Sequence, residues 1–143
     1  MEEVLEMARV KDTKERMAAV ERLHQHLESS RKPLSSAEVT ALVDCCMDIL
    51  KDHNFRVCQG ALQALSSDAV LSGGHLKIHF NGLVPAVVER LGDGKQPVRD
   101  AARQLFITLM EVCVSGILSI FSRIWFEILC YDFWKFTLPI LLY

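Results

Sequence analysis

A chain of 143 residues, half of them apolar, is long enough to bury one core without disulfides or metal to staple it. A formal net charge of −2 and an isoelectric point near 6.2 leave no basic field, so neither nucleic acid nor an anionic membrane surface is expected as a partner. Cys45 and Cys46 are adjacent, and Cys58, Cys113 and Cys130 stand alone with no Cys-x-x-Cys spacing; Glu2, Glu3 and Glu6 stand where a signal peptide needs basic residues. The expectation is a cytosolic protein with reduced thiols.

From the N-terminus, Glu2 to Arg9 predicts a short helix, and the run from Asp12 to Leu23 predicts a second that pairs with it. Together they make a first hairpin over about 2–29, degenerate in the manner of a terminal repeat whose outer face meets water. Ser29-Ser30-Arg31-Lys32-Pro33 links it onward. Val39, Leu42, Val43, Cys46, Ile49 and Leu50 then follow the spacing of one apolar helix face, with Ser35 or Ser36 as N-cap, predicting a helix over 36–51. After the break Lys51-Asp52-His53-Asn54, a further helix carries Phe55, Val57, Cys58, Ala61, Leu62 and Leu65 and is expected to stop at Ser72-Gly73-Gly74, closing a hairpin over about 36–72. The third hairpin, about 77–112, repeats the plan. It has a helix from Ile78 to Leu91, the turn Gly92-Asp93-Gly94-Lys95-Gln96, Pro97 near the first helical position, and a helix through Val98, Ala102, Leu105 and Leu109.

These hairpins are copies of one unit. Sliding the chain by 41 residues sets Leu42-Val43 on Leu83-Val84, Leu50 on Leu91, Asp52 on Asp93, Val57 on Val98 and Ala61 on Ala102, without a gap. A helix-turn-helix period of about 40–47 residues belongs to HEAT and armadillo arrays. The fold class is therefore all-α, a helical-hairpin solenoid of about two and a half to three hairpins over 1–112.

Composition breaks after Val112. Residues 113–143 hold both tryptophans, both tyrosines and four of the seven phenylalanines, but only Arg123, Glu127, Asp132 and Lys135 as charges. This apolar, partly helical tail reads as translated intron, because U-rich codons specify Phe, Leu, Ile, Tyr, Cys, Trp and Ser, and Val112-Cys113 and Val114-Ser115 can both be encoded by splice-donor sequences. The alternative is a small membrane-associated protein acting through that tail, although its four charges leave no run of about 20 uncharged residues for a clean span.

No motif points to catalysis or a cofactor. Gly92-Asp93-Gly94-Lys95 lacks the earlier glycine and the following Ser or Thr of a phosphate loop. His75 and His79 are four apart and His24 and His26 two apart, but no Cys pair or His-Glu-x-x-His supports a metal. Cys45, Cys46 and Cys58 sit among Val, Met and Leu as core residues do. Neither an enzyme nor a bound cofactor or metal is expected. What stands out is positional. The turns inside hairpins of a solenoid lie along one edge, so the stretches Arg9 to Thr13, Lys51 to Asn54 and Gly92 to Gln96 should form a ridge, each with a lysine.

The stretch Leu83-Val84-Pro85 through Leu91-Gly92-Asp93 to Val98-Arg99-Asp100-Ala101-Ala102 resembles the HEAT consensus. Lys11 to Met17, Asn54-Phe55-Arg56-Val57 with Gln59 to Leu62, and Lys95 to Asp100 resemble the start of the first TOG-like domain of the CLASPs, the CLIP-associating proteins, most closely a plant-type member. The resemblance covers nearly four-fifths of the chain. It implies a microtubule-associated interaction protein of the cytoplasm and cytoskeleton, contacting tubulin through its intra-hairpin turns and open to other microtubule-associated proteins as partners. It makes Lys11, Lys51, Asn54, Lys95 and Arg99 the candidate tubulin contacts. The chain departs from strong tubulin-binding TOG domains at Val10, where they place a tryptophan, and from the HEAT consensus at Cys58, which replaces the repeat arginine.

Overall fold

A computed structural model of the chain describes residues 2–115, with side chains from Glu3 onward. The chain divides into two units, Met1–Val112 and Cys113–Tyr143. The readings of the tail as translated intron, as a partly helical segment or as a membrane anchor fall on residues that, beyond 115, lie outside the described ones.

The described residues form helices and turns, with no strand among them. In order these are α1 (Glu2–Ala8), α2 (Thr13–Ser29), α3 (Ser36–Ile49), α4 (Phe55–Leu76), a 3-10 turn (Lys77–His79), α5 (Phe80–Leu91) and α6, which occupies 96–115. Each start has a local cause. Asp12 accepts from the Lys14 backbone N–H at the head of α2, and Asn54 accepts from that of Arg56 at the head of α4. α3 begins with a capping box: Ser35 Oγ accepts from the Glu38 N–H while the Glu38 carboxylate accepts from the Ser35 N–H and hydroxyl. Those bonds from Ser35 hold the Glu38 carboxyl below the usual carboxylate range.

One apolar stripe of each helix fills a continuous core. Leu23 and Leu27 of α2, Val39 and Leu42 of α3, Val57, Leu62 and Leu65 of α4, Leu83 and Val87 of α5, and Val98 and Leu105 of α6 have no exposed surface. Each such side chain contributes about 1.5–3 kcal/mol on leaving water. The 41-residue repeat is visible in this burial: Val57 and Val98, like Ala61 and Ala102, are wholly enclosed. α2 packs on α4 so closely that a Cβ at Gly60 would lie 2.4 Å from Val20 Cγ1.

The glycine pair does not stop α4. The helix passes through Gly73-Gly74 to Leu76, bending at Ser72, whose φ of −125° and ψ of 26° are non-helical. Ser72 Oγ accepts from the Leu34 backbone N–H at 2.8 Å, so the bend is fastened to the linker that precedes α3. Gly73 serves packing: a Cβ there would stand 2.8 and 2.9 Å from the two Cγ atoms of Val112. The chain then tightens into the 3-10 turn, and α5 starts at Phe80, two residues later than its sequence pattern predicts.

Candidate functional site: the edge of hairpin turns

The turns joining α3 to α4 and α5 to α6 are built alike. Asp52 Oδ1 accepts from the Asn54 N–H, and Asp93 Oδ1 from the Lys95 N–H, both at 2.8 Å. An aspartate that folds back on the backbone two residues on closes each turn, which is why the repeat keeps Asp at both places.

Arg16 fastens the first turn to the second. Its guanidinium donates to the carbonyls of Val10 and Lys11, at 2.9 and 2.7 Å, and through Nε to Asp52 Oδ2 at 2.7 Å. Cys58 and Arg99 hold the matching places 42 and a further 41 residues on. Arg99 again donates to its own turn, to the Asp93 carbonyl at 2.6 Å and to the Gln96 side chain. Cys58 cannot do so. Its thiol points to the Leu50 carbonyl, 3.8 Å away, and burial pushes its pKa up to about 11. Asp93 takes its cation from Arg90 instead, at 3.4 Å. The third turn meets the second hairpin through Lys95, whose Nζ lies 5.9 Å from the centroid of the Phe55 ring.

The three turns therefore follow one another along one edge of the first unit. Of the residues predicted to face a partner there, Lys11, Lys51 and Lys95 are exposed. Lys51 Nζ is 3.8 Å from Asp48, an open ion pair worth little to folding. Asn54 and Arg99 are half-buried and engaged in the turns, Asn54 as the α4 cap with its amide nitrogen 3.7 Å from Met17 Sδ. Sequence reasoning did not single out Arg16, Phe55 or the exposed Arg56. Aligning Arg16 with Arg99 in the repeat would have found the first.

Several other chemically capable side chains are spoken for. Cys45, Cys46 and Cys58 are buried, and burial raises the pKa of each thiol, that of Cys46 well above its ordinary value. His24 meets Ser67 Oγ at 3.2 Å and His79 meets Thr40 Oγ1 at 3.1 Å. Among the described residues no group of three or more His, Cys, Asp or Glu side chains could hold a metal ion.

Helical hairpins stacked at a 41-residue period, with their turns in register on one edge, define a HEAT-type solenoid of the kind found in TOG domains. Comparison with known proteins narrows the class. Over 112 residues, the length of the first unit, the chain is 80% identical to a CLIP-associated protein of Arabidopsis thaliana, a match covering 78% of this chain and 8% of that protein. It is 27% identical over 100 residues to the CLIP-associating protein of Drosophila melanogaster, covering 70% of this chain and 7% of the relative. It is 30% identical over 102 residues to TOG array regulator of axonemal microtubules protein 1 of Mus musculus, covering 70% and 6%. The crystal structure of the MAST/Orbit N-terminal domain shares the fold, with a TM-score of 0.71 at 24% identity, over 80% of this chain and 50% of that one. No family model matches the chain. The likeness to the CLIP-associating proteins read from the sequence is thus shown for most of this chain, which spans less than a tenth of their length.

Proposed function

We propose that the chain is a non-catalytic interaction module that associates with tubulin or microtubules, in the cytoplasm, through its edge of hairpin turns. The observation that carries this reading is the contact between successive turns: Arg16 joins the first turn to Asp52, and Lys95 of the third reaches Phe55, so Lys11, Lys51 and Lys95 are exposed cations on three neighbouring turns. Such a group of cations suits an acidic protein surface, to which it adds on-rate and orientation more than raw affinity. The name of the mouse relative, which ties that protein to axonemal microtubules, supports the choice of partner. The relatives lend no comparable support to a membrane role, and among the described residues no helix is long and apolar enough to cross a bilayer.

Co-pelleting with polymerised tubulin tests the proposal. The double change Lys51→Glu with Lys95→Glu should weaken binding roughly tenfold, and more at low salt, while leaving helicity unchanged because exposed turn charges carry little folding energy. Ala102→Asp should instead unfold the array, since it places an unpaired charge at a fully enclosed helix contact. Undiminished pelleting of the charge-reversed protein would rule the edge out.

A further inference from the structure

A second surface lies on the faces of α2, α4 and α6, bordering the third turn at Gln96. There an open groove of about 620 Å³ is lined mainly by neutral polar side chains. Its two long walls are helices in register. Gln59 and Gln63 of α4 stand one turn apart, and 41 residues later Asp100 and Gln104 of α6 stand in the same phase, with Gln96 one turn before them. Gln63 and Gln104 are exposed, and the side chains of Gln59, Gln63 and Gln104 make no hydrogen bond among the described residues. The groove is held open by bonds at its margin: Ser67 to His24 of α2 at 3.2 Å, and Ser66 to Thr108 of α6 at 3.5 Å. Gly73 meeting Val112 closes α4 onto α6 beyond that margin.

We propose that this groove binds an extended, basic peptide segment, its main chain read by the facing amides. A helix rises 1.5 Å per residue, so side chains four apart recur every ~6 Å, while an extended chain repeats its same-facing peptide groups every ~6.6 Å. Rungs at Gln59 with Asp100 and at Gln63 with Gln104 therefore meet successive same-facing units of one strand. A glutamine amide both donates and accepts, so each can bond the N–H and C=O of one peptide residue. From Gln59 to Ser67 the wall is ~12 Å long, enough for about four extended residues.

Charge selects the peptide. No Lys or Arg lines the groove, whereas Glu28 and Asp100 do. Among the described residues Glu28 pairs only with His24 Nε2, 3.4 Å away, and Asp100 accepts from Gln96 at 2.7 Å and from the exposed Arg103 at 3.4 Å. The turn edge offers cations and this groove carboxylates, so the two surfaces call for partners of opposite charge.

The test uses the full chain and three fluorescein-labelled hexapeptides read by fluorescence anisotropy. They are Lys-Thr repeated three times, the same peptide N-methylated at alternate backbone nitrogens, and the Glu-Thr counterpart. Saturable binding of the first alone is expected, and Gln63→Ala with Gln104→Ala should weaken it about tenfold by removing hydrogen bonds to the bound chain. Both glutamines are exposed, so circular dichroism should show both variant and parent folded. Lys51→Glu alone, in a turn that contributes no residue to the groove, should leave peptide affinity unchanged. Absence of saturable binding, equal binding of the N-methylated or acidic peptide, or full affinity in the glutamine double variant overturns the proposal.

Discussion

Asp68 is wholly enclosed, and neither carboxylate oxygen has a hydrogen-bond partner among the described residues. Burial raises its pKa, a rise that Ser72, His75 and His79 oppose only in part, and its charge in turn helps lift the Cys46 thiol. A carboxyl whose folded pKa lies above its unfolded value of about 3.9 contributes stability that is complete below that value and is lost as pH rises through the folded pKa. Ionising Asp68 is therefore a burden on the fold, one that grows as pH rises above the unfolded value. Asp68→Asn should raise stability to urea at pH 7 by about 1 kcal/mol and flatten the fall in stability as pH rises from about 4. Parallel urea melts across that range decide it, and identical pH profiles for variant and parent would count against a buried, strained carboxylate. The position was legible, because residue 68 falls in phase with Leu65, Ala69 and Leu76 on the apolar stripe. Its enclosure rather than its chemical type is what makes it costly, and composition does not reveal enclosure. Arg16 shows the reverse. It looks like an ordinary surface arginine in the sequence, yet the pair with Asp52 is mostly shielded, with side chains 19% and 12% exposed. Arg16→Ala should cost about 2 kcal/mol, and a double-mutant cycle with Asp52→Ala should return a coupling of about 1 kcal/mol or more.

Among the elements, α4 shows where local signals and packing part. Two glycines in a row each cost about 1 kcal/mol against alanine inside a helix, and a sequence reading takes them for a stop. The helix continues because the bend is taken up one residue earlier at Ser72 and because Gly73 lets Val112 approach. The two glycines consequently differ. Around Gly74 a Cβ meets nothing within 4 Å, so Gly74→Ala should stabilise the protein by about 0.5–1 kcal/mol. Gly73→Ala places a methyl against Val112, and Gly60→Ala places one against Val20, so each should destabilise by about 1–3 kcal/mol in spite of the better helix propensity. Thermal melts of the three variants give the order. Val20→Ala should recover much of the loss in Gly60→Ala, a rescue that a purely local helix effect would not show.

At the scale of the molecule the 41-residue period was the most readable feature, since it fixed the helix class, the pairing of helices into hairpins and the edge on which the turns fall. Which turn residues face outward was less readable. Asn54 and Arg99 look like surface polar groups, and only the folded turn shows them engaged as a cap and as a tie to the Asp93 carbonyl and the Gln96 side chain. The amide rungs facing across α4 and α6 were written in the same period, at Gln63 and Gln104, but a repeat of polar residues has no meaning until two helices are known to flank a groove. The composition break after Val112 supports the proposal that the codons for 113–143 are intron. Sequencing transcript and gene tests it, and an exon spliced at both ends and shared by most transcripts would remove it.

The first unit should fold without the tail. The core described runs from Leu5 to Leu109, so every buried apolar side chain in it precedes Val112. Solenoid hairpins gain stability only from their neighbours, so an array this short has few interfaces to sum. Its last hairpin also carries Val88, Ile107 and Met110 about half exposed, at 47%, 47% and 51%. A chain ending at Val112 should therefore give a strongly helical circular dichroism spectrum and one cooperative melt, at a midpoint near or below the 45–65 °C usual for mesophilic domains. Placing glutamate at Ile107 and Met110 should improve solubility without lowering that midpoint by more than a few degrees, because these side chains contribute little to the buried core. A melt without cooperativity in the truncated chain would show that residues beyond Val112 are needed to hold the three hairpins together.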